Sequence, residues 1–277
     1  MTVSRSERVW VDAGRTTPRT ATYPGAPERT LRTLIWQPTV TKPLPLLLMA
    51  HGFGGLPEKF DAFARTVSAA GFVVAAPAFP LTNENTPGGH DSNLRDFLNQ
   101  PADVSFVLSQ LLAANDTPRD PLHGRVRADA VAVLGHSLGG LTTVGLTRKN
   151  CCRDSRVAAT LLFAPVALYD SFGADPIDAG PPTLIVQGTA DPAVNYTSTV
   201  HLYDRIDPPR TLVLLAGADH SQDLESQIEP PVPARAAAQQ ATIAFLRARF
   251  AGARAELDAT LAALTVAGNM VETDLGS

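Results

Sequence analysis

Short apolar runs alternate with longer segments of helical period along this chain. The runs Glu7–Val11, Thr30–Trp36, Leu44–Ala50, Phe72–Ala76, Asp129–Leu134, Val157–Phe163, Pro182–Gln187 and Thr211–Leu215 predict strands. Between and after them, Glu58–Ala70, Pro101–Ala114, Leu138–Arg148, Asn195–Ile206 and Arg235–Phe250 predict helices. Phe60, Phe63, Ala64 and Val67 share one side of the first, and Val104, Val107, Leu108 and Leu111 form the stripe of the second. Strands separated by helices argue for parallel βα units, and near-continuous apolar strands such as Leu44–Met49 fit a sheet covered on both faces. The first two strands, joined without a helix, are expected as an antiparallel edge of the same sheet. The expectation is therefore an α/β fold in one domain, 1–277, with a core over about 30–250. Residues 251–277 read as a C-terminal surface extension with one short helix near Ala255–Leu264. Pro231 and Pro233 suggest a short ordered linker before the closing helix, and the long polar stretch Ala78–Asp96 suggests a functional loop.

Composition narrows the function classes. The 277 residues are 44% hydrophobic and only 18% charged, which excludes wholesale disorder. With 23 basic and 27 acidic residues the net charge is −4, so no basic footprint for nucleic acid or anionic membranes is present. No apolar run is long enough to predict a transmembrane helix. The polar segment Met1–Asp12 lacks the apolar core of a secretion signal, so the chain as it stands is expected in the cytoplasm, or secreted if a leader was removed. The two cysteines, Cys151 and Cys152, are adjacent. Neighbouring Cα atoms lie about 3.8 Å apart, below the usual disulfide range, so no bridge between them is expected.

The chemistry concentrates in Gly135-His136-Ser137-Leu138-Gly139-Gly140, a G-x-S-x-G pattern between a β-branched strand and a helix. A serine in that tight turn exposes its hydroxyl, glycines two residues away relieve backbone crowding, and the helix N-terminus favours developing negative charge. Ser137 is the expected nucleophile. The plainer reading is a serine N-cap beside a structural turn. A serine needs a base and the base an orienting carboxylate, in chain order serine, acid, histidine for this architecture. His220, after strand Thr211–Leu215, is the expected base, and Asp191, after strand Pro182–Gln187, the expected acid. Asp219 and Asp223 are runners-up for the acid, and Asp170, Asp175 and Asp178 an alternative location. Oxyanion donors would be the backbone N–H groups of Leu138 and of Phe53, with Gly54 as second choice, in His51-Gly52-Phe53-Gly54-Gly55.

With these residues in hand the chain resembles an α/β-hydrolase, and within that superfamily it is similar to bacterial cutinase-like polyester hydrolases, chlorophyllases and the platelet-activating-factor acetylhydrolase group. The resemblance runs over roughly Leu31–Phe250, on the markers His51–Gly55, Gly135–Gly140, Gly188–Asp191 and Gly217–His220. It implies an α/β-hydrolase fold with a mostly parallel sheet of about eight strands, helices on both faces and no separate lid domain. It also implies a serine esterase working through an acyl-enzyme, without a metal or organic cofactor. The polyester-hydrolysing relatives usually read G-H-S-M-G-G at the elbow, and here Leu138 replaces the methionine. They also carry a tryptophan after the next strand, whereas this chain has Phe163-Ala164-Pro165-Val166 there. The cysteine nucleophile of dienelactone hydrolases is absent.

The expected substrate is a small-molecule or polymeric ester of short or medium chain. Gly52, Gly54, Leu56, Phe79, Leu81, His136, Val166 and Tyr169 are the candidate substrate-binding residues, with Thr82, Asn83 and His90 on the adjoining loop. For each aromatic the competing role is core packing. Two other functions fit the same residues: an amidase, thioesterase or small-peptide hydrolase, and a non-catalytic binding protein retaining the fold.

Overall fold

The computed structural model describes the chain except residues 87–89, 173–176, 178, 222–223, 226–231 and 277, and, within helical turns, the side chains of 90–93 and 169. Nine strands form one sheet: β1 (Val3–Asp12), β2 (Arg29–Pro38), β3 (Leu44–Ala50), β4 (Val73–Pro77), β5 (Val126–His136), β6 (Val157–Phe163), β7 (Thr183–Gly188), β8 (Arg210–Leu215) and β9 (Met270–Asp274). Their order across the sheet is β1-β2-β4-β3-β5-β6-β7-β8-β9. From β4 to β8 every neighbouring pair is parallel. At one side β1 and β2 are the expected antiparallel edge, and at the other β9 runs antiparallel to β8.

The helices are α1 (Asp61–Ala69), α2 (Gln100–Asp116), α3 (Leu138–Arg148), α4 (Tyr196–Arg205), α5 (Pro233–Ala251) and α6 (Arg254–Val266). Side-chain alternation sorts the core. Leu47 and Met49 of β3 pack with Phe63 and Val67 of α1 and with Ala241 and Phe245 of α5. Leu46 and Leu48, pointing the other way, pack with Val104, Val107, Leu108 and Leu111 of α2. Further along that second face, Leu141 and Val144 of α3 meet Leu202 and Tyr203 of α4. The loops after β3, β5, β7 and β8 all leave from the carboxyl ends of parallel strands, so they gather at one edge of the sheet, where open α/β sheets hold their ligands.

Two expectations change. The C-terminal extension is more than a surface helix, because β9 completes the sheet along β8 and α6 buries Leu257, Leu261 and Leu264. Cys151 and Cys152 are joined by a disulfide despite a Cα separation of 3.8 Å. The usual range describes bridges between separate segments. Adjacent cysteines instead close a small ring through their shared peptide, in the turn where Cys152 N–H donates to Lys149 O and Asp154 N–H to Leu146 O. Within the expected linker, Pro231 lies outside the described residues and Pro233 opens α5.

Candidate active site

Ser137 occupies the turn between β5 and α3 with φ 53° and ψ −116°, a conformation that non-glycine residues rarely hold. Its backbone is pinned from three sides. Ser137 N–H donates to Phe163 O at the end of β6, and its carbonyl accepts from Gly140 and from Val166. The flanking glycines are sterically required: a Cβ on Gly135 would stand 2.0 Å from Gly139 O, and one on Gly139 2.1 Å from Ala50 O. Leu138 is the first residue of α3, so its N–H has no helical carbonyl four residues back.

The second loop is seated against the turn that carries Ser137. A Cβ on Gly52 would lie 3.0 Å from Ser137 Cβ. Phe53 follows with its side chain 40% exposed. Gly54 N–H is already committed to Thr82 O at 2.8 Å. His51 is fully buried and its roles are fixed by its neighbours. Nε2 accepts the N–H of Phe79 at 3.0 Å, so Nδ1 carries the proton and donates to Gly52 O at 2.7 Å. Burial pushes the His51 pKa down to about 4, which keeps the ring neutral.

Asp191 and His220 meet as the sequence spacing suggests. Asp191 Oδ2 lies 2.7 Å from His220 Nδ1, with the carboxylate sealed from solvent and the imidazole 21% exposed. The same carboxylate accepts the N–H groups of Ala193 and Val194 and the amide of Gln187. Burial alone would raise its pKa, but these bonds outweigh burial and hold it below the ordinary aspartate range. His220 Nε2 has no hydrogen-bond partner among the described residues. His136, the residue before Ser137, reaches across to this loop: its Nε2 is 2.8 Å from His220 O, and the two rings pack with centroids 4.8 Å apart. Ser137, Leu138, Gly52, Phe53, His136, Asp191 and His220 thus belong to one loop cluster.

Other expected residues fall elsewhere. Phe79 and Leu81 are buried, and Phe79 packs in the core with Leu48 and Val104. The apolar face of the β4 exit is turned inward, and Phe79 serves the site through His51, donating its N–H to Nε2 and packing its ring against the imidazole with centroids 4.7 Å apart. Leu56 and Val166 are half-buried. The side chains of Tyr169 and His90 lie outside the described residues, as do Asp175, Asp178 and Asp223. Asp219 Oδ1 accepts Ser221 N–H, and Asp170 is exposed.

Three supporting residues escape a reading by motif. Gln187, at the end of β7, holds Asp191 and is itself held by Thr199 Oγ1. Gln100 donates to Thr82 Oγ1 at 2.7 Å and accepts from Thr142 Oγ1, linking the loop that holds Gly54 to α3. Glu225 Oε1 stands 3.0 Å from His136 Nδ1. A polar residue at an apolar core position was the only signal for the glutamines, and Glu225 offered none. Among the described residues no group of three His, Cys, Asp or Glu side chains is placed to hold a metal ion, and no helix is long and apolar enough to cross a membrane.

The fold is shared with a ferulic acid esterase from Streptomyces cinnamoneus, at a TM-score of 0.69 and 17% identity over 90% of each chain. That likeness shows the α/β-hydrolase fold. No curated protein matches the chain. The model of the dienelactone hydrolase family matches residues 31–250, the same span that contains the elbow, the aspartate loop and the histidine loop. The chain therefore belongs to the dienelactone hydrolase family.

Proposed function

We propose that this protein is a serine hydrolase that cleaves carboxylic esters of short or medium chain through an acyl-enzyme. The observation that carries this reading is the Asp191–His220 hydrogen bond of 2.7 Å on a loop fastened to His136, immediately before a serine in a strained elbow. The family contains enzymes with a cysteine nucleophile, but both cysteines of this chain are bonded to each other at the far end of α3. The serine is thus the nucleophile the elbow offers. The fold neighbour's own activity on a ferulic ester supports an ester as the substrate.

In this mechanism His220 Nε2 takes the Ser137 proton as the oxygen attacks the ester carbonyl, and Asp191 stabilises the imidazolium. The N–H groups of Leu138 and Phe53 hold the oxyanion of the tetrahedral intermediate. Collapse expels the alcohol, which takes the proton from His220. Water, deprotonated by His220, then attacks the acyl-enzyme; the Ser137–acyl bond breaks, Ser137 takes the proton back from His220, and the acid leaves.

Incubation with an alkyl fluorophosphonate, followed by peptide mapping and p-nitrophenyl butyrate turnover, tests the proposal. The expected result is one adduct, on Ser137, with loss of turnover. Folded protein with neither adduct nor turnover overturns it. Comparable efficiency on a matched anilide would replace the ester assignment with an amidase.

A further inference from the structure

His136 is 3% exposed, and both of its ring nitrogens face oxygen atoms. Nε2 faces the carbonyl of His220 at 2.8 Å, and Nδ1 faces Oε1 of Glu225 at 3.0 Å. A carbonyl can only accept, and so can an ionised carboxylate. Both bonds therefore form together only if both nitrogens carry a proton. His51, one loop away, has the opposite setting, with an N–H of Phe79 directed at one nitrogen and a carbonyl at the other. The site thus holds two buried histidines whose partners dictate different protonation states.

We infer that His136 is kept as an imidazolium by Glu225 and acts as a positioning residue, clamping the backbone of His220 to the nucleophile elbow. The inference rests on the esterase reading above for its catalytic consequence. A charge-assisted bond is about twice as strong as a neutral one. It joins the residue adjacent to the nucleophile directly to the backbone of the base, so it sets the separation that proton transfer requires. Among the described residues, the charged and titratable groups around His136 are His51 at the end of β3, Lys59 before α1, His220 and Glu225 on the loop after β8, and Asp191 behind His220. Lys59 is engaged by Glu84 and Gly54 O. Burial works to raise the Glu225 pKa, but the bond and charge of His136, aided by Lys59, hold it below the ordinary glutamate range. Glu225 therefore remains the carboxylate that the clamp requires.

The test is nitrogen-15 NMR of the histidine rings in the full chain, with kinetics on p-nitrophenyl butyrate beside it. In the native protein at pH 7.5 His136 should carry two ring protons. Glu225→Gln keeps the shape of the side chain and removes its charge; its His136 should carry one proton at that pH. Its kcat should fall about fivefold with KM within twofold, the size expected when a charge-assisted bond becomes a neutral one. Glu225→Asp should retain both protons and most of the kcat, which separates charge from any failure to fold. A singly protonated His136 in native protein that forms the Ser137 adduct overturns the clamp alone. Full kcat in a Glu225→Gln protein that has lost the ring proton overturns its catalytic role. Native protein without adduct or turnover overturns the esterase reading, and with it the catalytic role, while the ring protons still decide the clamp.

Discussion

Asp191 spends all of its hydrogen-bonding capacity inside the protein, on two backbone N–H groups, the Gln187 amide and His220. Such a carboxylate orients an imidazole rather than competes for its proton. Asp191→Asn should preserve the fold yet lower kcat on p-nitrophenyl butyrate by about 10⁴-fold, because the amide favours the wrong tautomer of His220. A loss below tenfold would remove Asp191 from the mechanism. His51 makes a different prediction at this scale. Its folded pKa of about 4 lies below the unfolded value near 6.5, so its neutral form contributes stability that is fully present above pH 6.5. That contribution fades as the pH falls toward 4, by about 3 kcal/mol in all. Urea unfolding at pH 7 and pH 4.5 should register the loss, and the His51 ring should stay neutral in NMR spectra at pH 5.

Elements are joined here by polar side chains as much as by apolar packing. Arg29 of β2 is fully buried and pairs with Asp96 and with Asp103 of α2, fixing the end of the long loop after β4 to the sheet. Burial opposes its charge, but the two carboxylates outweigh burial and raise its pKa. Arg29→Met would leave buried Asp96 without its cation and Asp103 with Arg15 alone, and should cost about 3–5 kcal/mol in urea unfolding. These links also explain what the sequence could convey. The elbow was legible because its chemistry needs a local pattern: strand, Gly135, Ser137, Gly139, helix. α3 began and ended where its period said, and the strand-end positions of Asp191 and His220 followed from chain order. Gln100 and Glu225 were illegible because each acts on a residue brought near only by folding, 18 positions away for Gln100 and Thr82 and 89 for Glu225 and His136; Gln187, four positions before Asp191, is local, but no motif marks it. The burial of Phe79 and Leu81 was not foreseeable either, since a polar loop can still turn individual apolar side chains into the core.

For the molecule as a whole the C-terminal 26 residues are structural. β9 covers the outer edge of β8, and α6 adds Leu257, Leu261 and Leu264 to the core beside α5. Deleting residues 252–277 should destabilise the fold by about 5 kcal/mol from these leucines alone and expose a strand edge that invites association. A lowered Tm and a loss of monomer on size-exclusion chromatography would register both effects. The sheet margin could not be foreseen in Met270–Asp274, where an exposed edge strand lacks the apolar run that marks a central one. The bond between Cys151 and Cys152 has a practical consequence for the intact protein. Handled without reductant, it presents no thiol among the described residues for iodoacetamide or maleimide to alkylate. Thiol-directed inhibitors that silence cysteine-dependent family members should leave its turnover untouched, so sensitivity to them becomes a simple way to tell this chain apart from such relatives in a mixed sample.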